Sequence, residues 1–149
     1  MIRRIQELIP VASRPVKLGG KRLLDGGVSD PIPVKWMLSR GYEKNVVVLT
    51  RDVKYRKKAN PKMQLFLKAV LHKYPAFLKD LEERHIHYNE TLEELASLEK
   101  EGRIHIIRPS SPIQAAMIER DESNLERIYQ TGRADMKKDL EKLKAYLDS

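Results

Sequence analysis

The chain predicts an α/β fold, and three observations lead there. Val46-Val47-Val48-Leu49 is a near-continuous apolar, mostly β-branched run, the pattern of a strand covered on both faces in a parallel sheet, and Ile104-His105-Ile106-Ile107 is a less pure second example. Between and after these runs, apolar residues recur at three- and four-residue intervals, the period of an amphipathic helix. Near the amino terminus, two short strand-like runs flank Gly19-Gly20 and lead into Leu24-Asp25-Gly26-Gly27. At 149 residues and 41% hydrophobic, the chain is long enough to bury a sizeable core as one ordinary domain.

Taken in order, Ile2, Ile5, Leu8 and Ile9 predict a short amphipathic helix that Pro10 ends. Val16 to Leu18 and Lys21 to Leu24 form a hairpin ending at Asp25. Pro33 to Ser39 has the proline of a helix start, with Val34, Met37 and Leu38 facing inward, Trp36 packed and Gly41 as the stop. Asn45 to Thr50 is the first apolar strand. Met63, Phe66, Leu67, Val70, Leu71 and Tyr74 then make one helical stripe, and Leu78, Leu81, His85, Tyr88, Leu92 and Leu95 another. Pro75 marks a break between them, and Thr91 with Glu94 offers a possible capping box. After the Ile104 strand, Ser123 with Glu126 forms a better box for a last helix through Leu125, Ile128, Tyr129, Met136, Leu140, Leu143 and Leu147, with Gly132 inside it.

Composition narrows the function classes. With no cysteine, a disulfide framework and thiolate chemistry are excluded. No apolar run approaches the roughly 20 residues that span a bilayer, and the amino terminus lacks the features of a signal peptide, so a cytoplasmic location is the default expectation. His85 and His87 fall on different faces of a helix, so no metal site is expected. No phosphate-cradling glycine motif occurs, and no cofactor is expected. The net charge of +8 points to anionic company without choosing it. Lys54, Arg56, Lys57, Lys58 and Lys62 gather in one loop with Tyr55. That loop is either simply solvated or a weak contact for an anionic membrane surface; nucleic acid is not the expected partner.

The stretch with most constraint is Asp25-Gly26-Gly27-Val28-Ser29-Asp30-Pro31-Ile32-Pro33. Two glycines able to take positive φ, followed by two prolines, imply a sharp turn holding the Asp25 carboxylate on a sheet rim, where α/β proteins gather their chemistry. In the plainer alternative Asp25 only caps its own turn. Asp30 would cap the Pro33 helix.

Together with Arg14-Pro15-Val16-Lys17-Leu18, Gly41-Tyr42, Tyr55-Arg56-Lys57-Lys58, Tyr74-Pro75, Arg84-His85, Tyr88-Asn89 and Ile107-Arg108-Pro109, this stretch resembles the C-terminal part of the patatin-like phospholipases. The later pieces resemble bacterial members with a helical C-terminal extension. The resemblance implies a lipid-ester acyl hydrolase working by a Ser-Asp dyad, with Asp25 as the base that activates the serine and Gly26 and Gly27 shaping its turn. It also implies residues 1–54 as the end of the patatin-like α/β domain and residues 55–149 as the extension. The family's G-x-S-x-G elbow and Gly-rich oxyanion loop are absent: Gly27-Val28-Ser29-Asp30-Pro31 has proline where the second glycine belongs. The chain alone is therefore expected to be inactive, as half of an enzyme. The rival reading is a non-catalytic binding or association module. Because the upstream half of such a domain would cover part of the sheet, an exposed apolar face and a homodimer are expected.

Overall fold

A computed structural model of the chain describes residues 16–23, 26–116 and 119–149. The chain divides into two compact units, each drawn from two stretches: Met1–Pro33 with Lys57–Leu92, and Val34–Arg56 with Glu93–Ser149. The helix expected over residues 1 to 8 lies outside the described residues.

In the first unit, β1 (Val16–Leu18) and β2 (Lys21–Leu23) pair antiparallel with Val16 opposite Leu23. Gly19 and Gly20 both have positive φ, 56° and 75°, as a two-residue hairpin turn of type I′ requires. A single 3-10 turn follows at Gly26–Val28. Helix α2 (Pro61–Leu71) starts at Asn60, whose side chain accepts from the Met63 N–H, and proline occupies its first turn, where no backbone donor is lost. The expected inward stripe of α2 is not inward. Leu67 is buried, whereas Met63, Phe66, Val70 and Tyr74 are exposed. Helical period identifies which residues share a face, but not whether another element lies against it.

Helix α3 begins at Pro75 and runs unbroken to Lys100, because no proline or glycine interrupts it. Thr91 therefore does not cap a new helix; it sits within the turn and donates to the His87 carbonyl at 2.8 Å. The helix ends on Gly102 with φ of 72°, its N–H donating to Glu99 O while Arg103 N–H donates to Leu98 O, the paired bonds of a Schellman stop.

Among the described residues, the second unit holds most of the buried apolar side chains. Helix α1 (Val34–Ser39) stops at Gly41, where φ is 80°. Strands β3 (Asn45–Val48) and β4 (Ile104–Ile107) pair in parallel, Asn45 opposite Ile104 and Val48 opposite Ile107. They form a sheet of their own, separate from the hairpin. Val34, Leu49, Leu95, Leu98, Ile104 and Ile106 are buried in this unit. Buried Asn45 is satisfied by donating from its side chain to Tyr42 O and from its backbone to the Tyr146 hydroxyl. Trp36 does not pack inward as expected: it is 53% exposed, with the Arg40 guanidinium 5.0 Å from its ring centre. Val46 and Val48 are 40% and 68% exposed, so β3 is not covered on both faces as its apolar run implies.

Helix α4 (Glu122–Asp148) is capped by Asp121, whose carboxylate accepts from Ser123 and Asn124 N–H groups, rather than by Ser123 itself. None of its residues is buried. Polar contacts hold it to β4 and its flanks: His105 Nε2 to Asp139 Oδ2 at 2.6 Å, Ser110 N–H to Asp135 at 2.9 Å, and Tyr146 hydroxyl to Arg103 O at 3.1 Å. The Tyr146 ring also stacks on His105, 5.6 Å between centres. Among the described residues, no helix is long and apolar enough to cross a membrane.

Candidate functional site

Within the first unit, α2, the amino-terminal part of α3 and residues 57–60 enclose an open cleft of about 210 Å³. Met63, Leu67 and Leu81 give it apolar walls, and Lys57, Lys58 and Arg84 bring positive charge to its lining beside His85. No carboxylate lines it. Glu82, one turn from His85, instead pairs with Lys68 at 3.0 Å.

Lys57, Arg84 and His85 are each held by a different device. Asn89 on α3 clamps the backbone of Lys57, accepting its N–H at 2.8 Å and donating to its carbonyl at 3.0 Å. One side-chain amide thus substitutes for a strand neighbour and fixes an otherwise irregular segment. The Lys57 ammonium lies 5.5 Å from the Tyr88 ring centre. Arg84 donates from Nε to Gly27 O at 3.0 Å. His85 Nδ1 meets Glu82 O at 2.9 Å, which leaves Nε2 as the ring nitrogen available to a ligand. Lys58 is exposed at the rim.

The basic loop singled out in the sequence is therefore divided in role. Lys57 and Lys58 line the cleft, whereas Lys54, Arg56 and Lys62 do not. In the other unit, Arg56 turns back and donates to Val53 O and Tyr55 O.

Of the residues assigned to the dyad motif, Asp25 lies outside the described residues. Gly26 opens the 3-10 turn, its carbonyl accepting from Ser29 and Asp30 N–H groups. Its φ is outside the left-handed region and a Cβ there would meet nothing within 4 Å, so the expectation that this glycine supplies positive φ is corrected. Gly27 contributes its carbonyl to Arg84. His87 sits exposed between Glu83 at 3.6 Å and Glu90 at 3.2 Å. Among the described residues, no three His, Cys, Asp or Glu side chains gather as a metal site.

Residues that sequence reasoning missed lie far apart in the chain. The Asn89 clamp on Lys57 joins residues 32 apart in the chain, and the polar character of Asn89 beside Tyr88 is its only local signal. The His105–Asp139 pair, with side chains 12% and 24% exposed, carried no spacing signal at all. It borders a second cleft in the other unit, also about 210 Å³, lined by Ile106, Arg108, Ser110, Asp135, Lys138 and Lys142 among others. Acids and bases are mixed there, with Asp135 and Asp139 facing Arg108, Lys138 and Lys142, and the Ser110 N–H holds the Asp135 carboxyl below its usual range, followed by the Ser110 side chain.

No curated protein and no solved structure matches the chain. Among families, residues 74–148 match the one described as Domain of unknown function (DUF6363), and no match to the patatin-like phospholipases is found. The patatin resemblance is thereby corrected. Its most specific part was a short Asp-Gly-Gly turn with following prolines, and such a motif carries a local backbone shape that unrelated chains can share. The dyad role of Asp25 rested on that resemblance alone. The match spans just over half of the 149 residues and covers α3, β4 and α4, so the chain belongs to the DUF6363 family.

Proposed function

We propose that this chain is a non-catalytic binding module that takes hold of anionic groups at a lipid surface through the cleft lined by Lys57, Lys58, Arg84 and His85. The observation that carries the reading is the convergence of these four side chains, from two separate segments, on one cleft with no carboxylate in its lining. Each basic residue near an anionic leaflet contributes about 1 kcal/mol, so a cluster of this size supports weak, salt-sensitive association. The cytoplasmic leaflet, rich in anionic lipid, is the surface this reading assigns.

Vesicle co-sedimentation tests it. Binding is expected to vesicles containing phosphatidylserine and to fall as salt is raised, because screening shortens the reach of each charge. Equal partitioning onto neutral vesicles, or binding that ignores salt, removes the reading.

A further inference from the structure

We infer that the cleft recognises a phosphate monoester on a short carbon skeleton, the chemistry shared by a phosphatidic acid headgroup and free glycerol phosphate. The inference rests on the anion-binding reading above and narrows it to one ligand class. Size is the first reason. The open cleft of about 210 Å³ has room for a phosphate with a three-carbon unit between its walls.

Charge is the second reason. A phosphate monoester carries about −1.5 to −2 at neutral pH and offers three acceptor oxygens. A carboxylate carries a single charge and a phosphodiester likewise, so both use fewer of the donors that converge here. Those donors come from two segments: Lys58 from the loop clamped by Asn89, and Arg84 and His85 from α3. With Nε committed to Gly27 O, Arg84 is oriented before any ligand arrives and retains its terminal nitrogens for phosphate oxygens. The third reason is the apolar wall of Met63, Leu67 and Leu81, which suits methylene groups and makes an ester a better ligand than the bare ion.

The test is calorimetric titration of the full chain with sn-glycerol 3-phosphate and with inorganic phosphate, beside flotation with vesicles of phosphatidylcholine carrying phosphatidic acid or phosphatidylglycerol. Saturable binding of glycerol 3-phosphate tighter than inorganic phosphate is expected. Lys58→Glu should weaken it by about tenfold or more. Lys54→Glu makes the same charge change in the same loop but outside the cleft, and should leave affinity within about twofold. Arg84→Lys keeps the charge and loses the fork, and should weaken binding while leaving vesicle attraction in place. Preference for phosphatidic acid over phosphatidylglycerol, with glycerol 3-phosphate competing, assigns the lipid headgroup; binding of glycerol 3-phosphate without that preference assigns the free ester. Equal losses from Lys58→Glu and Lys54→Glu overturn the inference, since diffuse charge then explains everything. So does the absence of saturable binding to both ester and phosphatidic acid. If phosphatidylserine vesicles are still bound in that case, the broader reading survives alone, whereas loss of all vesicle binding removes the surface reading itself.

Discussion

The two units of this chain are held together by different physics. Around β3 and β4, Val34, Leu49, Leu95, Leu98, Ile104 and Ile106 are buried. In the unit that carries the cleft, the buried apolar side chains among the described residues are Val28 and Leu67. Burying a leucine-sized side chain contributes about 1.5–3 kcal/mol, whereas a typical hydrogen bond contributes about 0.5–1.5 kcal/mol net. The first unit instead depends on directional ties: Arg84 to Gly27, Asn89 to Lys57, and Lys68 with Gln64 to Glu82. Such ties add little stability each, but they set where charges point. A binding surface and a stabilising core therefore need not occupy the same part of a chain.

Substitution at the two cores gives the largest expected effect. Leu95 is 1% exposed, and Leu95→Ala should lower unfolding free energy by about 2–5 kcal/mol in urea melts. Leu67→Ala should lose nearer the bottom of that range, about 2 kcal/mol, because exposed Met63 and Phe66 beside it can settle toward the gap. Equal losses at both positions erase the contrast between the units.

A smaller effect is expected at the clamp. Asn89→Leu removes both hydrogen bonds to Lys57 and should destabilise the chain by about 1–2 kcal/mol. Hydrogen exchange sharpens the comparison, since the Lys57 amide should lose protection while that of Ile107, which faces β3 in the parallel ladder, keeps it. Unchanged protection at Lys57 would mean that the loop is ordered by something other than Asn89.

The smallest effect is a pH dependence at the start of α4. Glu119 accepts hydrogen bonds, chiefly from the Asp121 N–H and then from the Asn124 side chain and the Ala116 and Arg120 N–H groups, which lower its pKa from 4.5 to about 2. A depressed carboxyl pKa means that its contribution is present above about pH 4.5 and is lost as pH falls toward about 2. Glu119→Gln should therefore melt below the parent protein at neutral pH and converge with it in acid. A carboxyl titration midpoint at 4.5 in the folded chain would show that these bonds do not form.

Much of the local structure was legible. The Gly19-Gly20 hairpin, the Gly41 stop, the Pro75 break and both strands of the parallel pair lie where residue type and spacing placed them. Each is governed by neighbours a few residues away. Trp36 and the α2 stripe were misjudged, since apolar character states a preference for burial and not the presence of a partner. The Asp-Gly-Gly stretch misled because a short turn was asked to stand for a whole fold.

By itself, the sequence determined where most helices and strands lie and a surplus of positive charge. Tertiary structure alone decided which of those charges meet. Lys57 and Lys58 come from the loop and Arg84 and His85 from α3, and nothing in their spacing brings them to one cleft. Nor does any period join His105 to Asp139. Propensity acts between near neighbours along the chain, while electrostatic recognition depends on distance in space and on which groups water can reach, and the packing of α2 against α3 sets both in the cleft.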